Sequence, residues 1–376
     1  MSTLIEVMKK TISLLALVLL LVGSAAAQGS LEKGLNADNK GLYELAEKYY
    51  RQAVDTNAEA RMRLGILLER GEHFAEAAKW LVKADSSAEA MTHLAVCRCE
   101  MHEWADARTA AEKAIELATD EEKSLKASAM ASLALVYCMD ENYTNALLWA
   151  HKAQEEDPSS ARALNVQGII CYRRGNDNEA MQTFRKAIKA DPSNIDAYFN
   201  LGTMYCQRNH YESAITTLKN GLKVDRNSSK LIYCLGWAYL LKGERENAME
   251  CLRTVIKYDS SYVDAYNRLG DIHFASGEYN EAIAEYRKAS KIAPKQCDAY
   301  RLMGRAYTEL GEYSKAIRSY QRAVDNNSKD AETYCRIAEL YARQKQPKRE
   351  QANYKRAAKL GHTKAQKWCT QRGIAY

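Results

Sequence analysis

Apolar and small residues recur along this chain with two spacings nested in one longer period. Taking Ala161 as position 1 of a unit, apolar or aromatic residues fall at positions 4, 7, 11 and 24, and small ones at 8, 20 and 27. Positions 4, 7, 8 and 11 share one face of a helix, and 20, 24 and 27 share one face of a second. Between them Gly175, Asn209, Gly243, Gly277 and Gly311 break the pattern, where a left-handed turn residue is wanted. Gly168, Gly202, Gly236, Gly270 and Gly304 are each 34 residues apart, and Ala146, Ala180, Ala214, Ala248, Ala282 and Ala316 keep the same step. Pro158, Pro192 and Pro294 share one phase of it. The pattern predicts helix–turn–helix units starting near Ala127, Ala161, Ile195, Ser229, Val263, Cys297 and Ala331.

The units before residue 127 are looser, starting near Ala27, Ala58 and Ala88 with intervals of 31, 30 and 39 residues. The last regular unit carries Glu350 where Ala is expected, and His362 to Gly373 reads as a closing helix over the last apolar face. The expected organisation is therefore 28–126 divergent repeats, 127–360 regular repeats and 361–376 a capping helix. Glycine at position 8 weakens a helix, so packing must require it. The expectation is that it faces the small residue at 20, with Phe184, Tyr205, Tyr239 and Tyr286 filling the space around that approach. Proline at 32 ends the second helix.

The run Asp264-Ala265-Tyr266-Asn267-Arg268-Leu269-Gly270, followed by Ala282, Tyr286, Ala289 and Pro294, resembles a tetratricopeptide repeat, with Tyr, Leu or Ile in place of the first Trp of that pattern. Leu64-Gly65 with Ala77-Ala78-Lys79-Trp80 is similar to the related Sel1-like repeat. The resemblance implies an all-α, right-handed solenoid of about ten such units.

Composition agrees with folded helices. Of 376 residues 47% are hydrophobic and 27% charged, with 4 Pro and 4 Phe against 24 Tyr, which excludes collagen-like, mucin-like and multi-span membrane chains. Lys9 and Lys10 precede an apolar run from Leu14 to Val22, then Gly23, Ser24 and three alanines. This resembles a bacterial secretory leader cleaved after Ala27 and sends the chain to the periplasm or outside the cell. A retained anchor is the alternative, although the run is short for a bilayer. The 10 Cys show no repeated pairing interval and are expected to be mainly free thiols, with room for one or two bridges.

No Gly-rich phosphate loop, G-x-S-x-G or H-E-x-x-H sequence is present. His93, Cys97, Cys99 and His102 cluster in sequence, but on a helix the first two and the last two face opposite ways, so four metal ligands cannot converge. Neither a metal nor another cofactor is expected, and the chain is read as a non-enzyme. A hydrolase of the Sel1-like type ranks third among the functions considered, because the short-interval Cys pairs of those proteins are missing.

The family resemblance implies that first-helix positions 2, 5, 9, 12 and 13 line a concave groove that holds a protein or peptide segment. Those positions bring in Tyr172, Phe199, Tyr233, Trp237 and Phe274, with Asn165, Asn267, Arg301 and Arg305 projecting as polar contacts. Asn200 and Lys230 match two places of the family's carboxylate clamp, whereas Ile169 and Cys234 break it. The rival reading is an envelope adaptor docking on anionic lipid or polysaccharide through a basic end. From Arg343 onward ten Lys and Arg stand against Glu350 alone, and Lys348, Arg349, Lys355 and Arg356 lead this group. Nucleic acid is not expected as the partner of an exported chain.

Overall fold

A computed structural model describes residues 25–376, and the leader-like segment up to Ser24 lies outside the described residues. The chain divides into two compact units, one through Asn200 and the other Leu201–Tyr376. In the first, a helix through 25–39 (α1) precedes α2 (Tyr43–Ala53), α3 (Ala58–Arg70), α4 (Phe74–Lys83), α5 (Ala88–Glu100), α6 (Trp104–Leu117), α7 (Lys123–Met139), α8 (Tyr143–Glu156), α9 (Ala161–Arg173) and α10 (Asp177–Ala190). The division falls inside α11 (Ile195–Gln207). The second unit continues with α12 (Tyr211–Val224), α13 (Ser229–Lys242), α14 (Arg245–Tyr258), α15 (Val263–Ala275), α16 (Tyr279–Ile292), α17 (Asp298–Glu309), α18 (Tyr313–Asn326), α19 (Ala331–Arg343), α20 (Pro347–Lys359) and α21 (Thr363–Gln371). Among the described residues there is no strand, and no helix is long and apolar enough to cross a membrane. Ala27, the last residue of the expected leader, is helical and buried in the first core cluster.

Each hairpin turns through one residue in the left-handed region: Gly41, Glu72, His102, Glu141, Gly175, Asn209, Gly243, Gly277, Gly311 and Lys345, with φ between 55° and 89°. The next N–H returns to the carbonyl five residues earlier, as from Asn176 to Cys171 at 2.9 Å and from His210 to Tyr205 at 2.8 Å. This satisfies a carbonyl that the helix end leaves open. The turn residues repeat at 31, 30 and 39 residues and then every 34, so the irregular early units are complete hairpins of altered length.

The connections between hairpins have their own signature. Asp157, Asp191, Asp225 and Asp259 each accept, through Oδ1, the N–H two residues on, at 2.8–3.0 Å. These Asx turns end the second helices, including those that lack Pro. First helices are often capped by the residue before them: Ser87, Ser160 and Asp330 accept the third N–H of α5, α9 and α19.

The expected partner of the position-8 glycine requires correction. A Cβ on Gly168 would lie 2.5 Å from Phe184 Cε1, on Gly202 2.6 Å from Leu218 Cδ2, and on Gly304 2.6 Å from Tyr320 Cε1. The glycine therefore lies under the large residue at position 24, sixteen places on, and the alanine at 20 is secondary. At Gly65 the carbonyl of that alanine is also close, 3.3 Å from the added carbon, and at Gly236 Cys251 Cβ at 3.1 Å and the Ala248 carbonyl at 3.4 Å are nearer than Leu252 Cγ at 3.6 Å. Tyr205 and Tyr239 do not fill this space. Tyr205 meets the His210 ring edge-on, and Tyr239 lies under the Lys219 ammonium. Where position 8 is alanine in α5 and α7, position 24 is alanine too: Ala95 with Ala111, and Ala134 with Ala150, each pair buried in one core cluster. In those two hairpins the positions trade volume, whereas the α19–α20 hairpin keeps Ala338 together with Tyr354 in one buried cluster.

At the C-terminal end, Ala365 and Cys369 of α21 are buried with Ala357 and Ala358 of α20, and Trp368 stacks on Tyr354 at 4.4 Å between ring centroids. The expected closing helix is present.

Candidate interaction faces

The first helices place the predicted aromatic residues at regular positions because the unit repeats. In the first unit, Tyr172 of α9 is 38% exposed, and Phe199 of α11 is half-buried. Asn165, expected to project, is instead 7% exposed, and its Oδ1 accepts the Asn200 amide at 3.0 Å. The nearby clamp position Ile169 is half-buried.

In the second unit, Tyr233 of α13 packs against Tyr262 at 5.2 Å, and its hydroxyl accepts from Arg268 Nε at 3.3 Å. Arg268 in turn pairs with Asp271 at 3.5 Å. Burial, partly offset by Arg268, pushes the Tyr233 hydroxyl pKa up, so it stays protonated. Trp237, one turn further on α13, is half-buried, and among the described residues its indole N–H has no hydrogen-bond partner. Phe274 of α15 meets Tyr279 edge-on at 5.3 Å and lies under the Arg305 guanidinium at 4.8 Å. Such a cation over a ring adds attraction without hiding the charge.

Asn267 also departs from the expected projection. It is 9% exposed, and its buried side-chain oxygen has no partner among the described residues. Arg301 does project, yet it is engaged by Asp298 and by Asp330 at 3.7 Å. Cys234, at a clamp position, is buried near the Thr203 hydroxyl at 3.4 Å. Tyr262, Arg268 and Asp271 are members of this face that the sequence patterns did not single out.

All ten cysteines are free, so the one or two bridges allowed from sequence are absent. His93 bonds Glu69 at 2.7 Å, Cys97 and Cys99 are buried, and His102 occupies the left-handed turn beside Trp104. Among the described residues no group of three or more His, Cys, Asp or Glu is placed to hold a metal ion. On α20, Lys348, Arg349 and Arg356 are exposed and Lys355 is half-buried. Arg349 lies over Tyr341 and Arg356 over Tyr334, at 5.5 Å and 5.7 Å.

A family model described as the Cilia and flagella-associated protein 70 C-terminal domain matches residues 148–367, and a tetratricopeptide repeat model matches residues 31–92 and 100–161. The chain belongs to the tetratricopeptide repeat family. The second match includes the stretch that resembles Sel1-like repeats. Solved structures similar to it include MamA, 30% identical over 44% of this chain and 96% of that one, with a TM-score of 0.39. A chain of the APC/C Cut9-Hcn1 hetero-tetramer is similar at 14% identity over 92% and 96%, with a TM-score of 0.46. The pilF protein of Pseudomonas aeruginosa is similar at 20% identity over 60% and 99%, with a TM-score of 0.49. No curated protein matches the chain. Tetratricopeptide repeats are typical of protein–protein interaction scaffolds and are generally non-catalytic.

Proposed function

We propose that this protein is a non-catalytic scaffold that holds a partner protein segment on the faces of its first helices. The observation that carries this reading is the set of half-buried aromatics on those helices. Trp237 is the strongest of them, a large amphipathic ring whose N–H is left for a partner. Residues of this kind supply most of the energy of protein interfaces. Arg305 keeps its charge available over Phe274.

Trp237→Ala combined with Phe199→Ala should abolish cross-linked capture of a partner from an extract of the source cells, with helical circular dichroism unchanged. Undiminished capture by the folded variant rejects the reading. The leader-like stretch supports a periplasmic or secreted location, and fractionation with N-terminal sequencing of the mature chain tests that.

A second reading is favoured by one observation. Lys348, Arg349, Lys355 and Arg356 of α20 form no ion pair among the described residues, which suits docking on an anionic envelope surface. Vesicles containing phosphatidylglycerol should then retain the wild type at low salt and release a variant with all four changed to Glu. No retention of the wild type excludes the adaptor.

A further inference from the structure

Residues of α16, α17 and α18 outside the predicted groove set line a cavity of about 570 Å³. Arg287 and Lys291 come from α16, and Lys315, Arg318 and Arg322 from α18. Tyr300, Met303 and Tyr307 of α17 supply its apolar part. No Asp or Glu is among the lining residues. Arg287 donates to the Tyr307 hydroxyl at 3.1 Å, and Arg322 lies 5.8 Å over the Tyr300 ring. Both contacts fix a guanidinium without neutralising it. Lys315 is paired with Glu312 at 2.7 Å. Arg287, Lys291, Arg318 and Arg322 have no carboxylate partner among the described residues.

A neighbouring cavity shows that this imbalance is local. It has a volume of about 230 Å³, and there Glu309 and Glu339 stand among Arg305, Arg336 and Arg343. Unpaired like charges around one hollow repel within the Debye length of about 8 Å, and a multivalent anion placed between them relieves the repulsion. The spacing indicates which anion. Arg287 and Lys291, like Arg318 and Arg322, are four residues apart on a helix, a rise of about 6 Å. Alternate side chains of an extended chain lie about 6.6 Å apart on one side, with the intervening ones pointing to the other. Acidic side chains alternating in this way reach both cationic walls, and their apolar stems lie on Tyr300 and Met303. A single phosphate group cannot reach both walls along their length, and the volume is that of a ligand pocket rather than a small anion's cradle.

We propose that this trough binds an extended acidic segment of a partner protein. A capped, fluorescein-tagged tetraglutamate peptide tests it by fluorescence anisotropy on the full chain. The wild type should bind, more weakly when salt rises from about 50 to about 200 mM. Arg318→Glu with Arg322→Glu should weaken binding at least about tenfold. Lys48→Glu with Lys113→Glu, the same change in charge on the first unit, should leave it unaltered. If the reversal variant loses helical signal, Arg318→Gln with Arg322→Gln replaces it, and a loss of less than about threefold then overturns the proposal. Three other results overturn it as well: no binding by the wild type at low salt, an equal loss in the Lys48 and Lys113 variant, or displacement of the peptide by tripolyphosphate at concentrations below the peptide's own.

Discussion

The ring of Tyr286 occupies the space that a side chain on Gly270 would need. A Cβ there would lie 2.7 Å from Tyr286 Cδ1, and the tyrosine hydroxyl reaches past it to Asp271 Oδ1 at 2.9 Å. The same glycine-under-ring arrangement joins Gly168 to Phe184 and Gly304 to Tyr320. It sets how closely the two helices of a hairpin approach.

Gly270→Ala should destabilise the protein by about 1–3 kcal/mol through overpacking, and Tyr286→Ala by about 3–5 kcal/mol through a cavity. The double variant recreates the alanine pair that this chain itself uses at Ala95 with Ala111. It should therefore cost less than the sum of the two by about 0.5–3 kcal/mol. Urea midpoints of the four proteins measure that coupling, and simple additivity would show that the two side chains do not compete for space.

Four hairpins turn through Glu72, His102, Glu141 or Lys345 with φ near +60°, a conformation that costs a non-glycine residue about 1–2 kcal/mol. Glu141→Gly and Lys345→Gly should each raise the melting temperature. The gain is about 0.5–1 kcal/mol once glycine's greater freedom in the unfolded chain is subtracted. Gly277→Ala should lower it by a similar amount. A Glu141→Gly protein that melts no higher than wild type contradicts this account.

Stability should fall on the alkaline side. Burial, reinforced by Asp38, pushes the Tyr50 hydroxyl pKa up to about 12, and burial does the same for Tyr354, also to about 12. Tyr286 is raised further still, by burial and then by Asp271. A raised value favours the protonated folded form. The contribution is therefore complete below the unfolded tyrosine pKa near 10 and is lost as pH climbs from there through the folded values. Urea midpoints between pH about 9 and about 11.5 should decline more gently for Tyr286→Phe than for wild type. That variant starts about 1 kcal/mol lower for want of its hydrogen bond. Parallel slopes would mean that Tyr286 does not take part.

Burial also raises the thiols of Cys99, Cys171, Cys251 and Cys335 to about 11. Only Cys251 and Cys297 are better than buried, and Cys251 is held back by its raised value. At pH about 8, iodoacetamide should thus modify Cys297 alone at an appreciable rate. Without alkylation, denaturation in the absence of reductant should release ten reactive thiols, as the free cysteines require. Cys206 and Cys234, whose sulfurs are in hydrogen-bond reach of each other, are the pair that would bridge under oxidation. A count of eight in the purified protein would place a disulfide there.

Much of the architecture is legible in the sequence. The residues that repeat are those for which a substitution fails locally: glycine or asparagine at a left-handed turn, alanine at a helix crossing, Asp in the Asx turn. The interaction faces were legible only as positions. Periodicity put Tyr233, Trp237 and Phe274 on first helices, but could not show that Asn165 and Asn267 are buried, because their exposure depends on the neighbouring helices. Arg268 stayed hidden because its partners, Tyr233 and Asp271, lie on two helices.

From the sequence by itself came the helical class, the length of each hairpin, the turns at Gly175, Asn209, Gly243, Gly277 and Gly311 and the closing helix, because local backbone preference and a 34-residue spacing repeat together. Tertiary structure decided that the large residue at position 24, not the small one at 20, covers Gly168, Gly202, Gly270 and Gly304, since that choice depends on how far one helix slides along the other. It also gathered Arg287 and Lys291 with Arg318 and Arg322 around one hollow. Residues some thirty places apart share a cavity wall only after the hairpins have stacked, and no spacing rule within a single helix contains that distance.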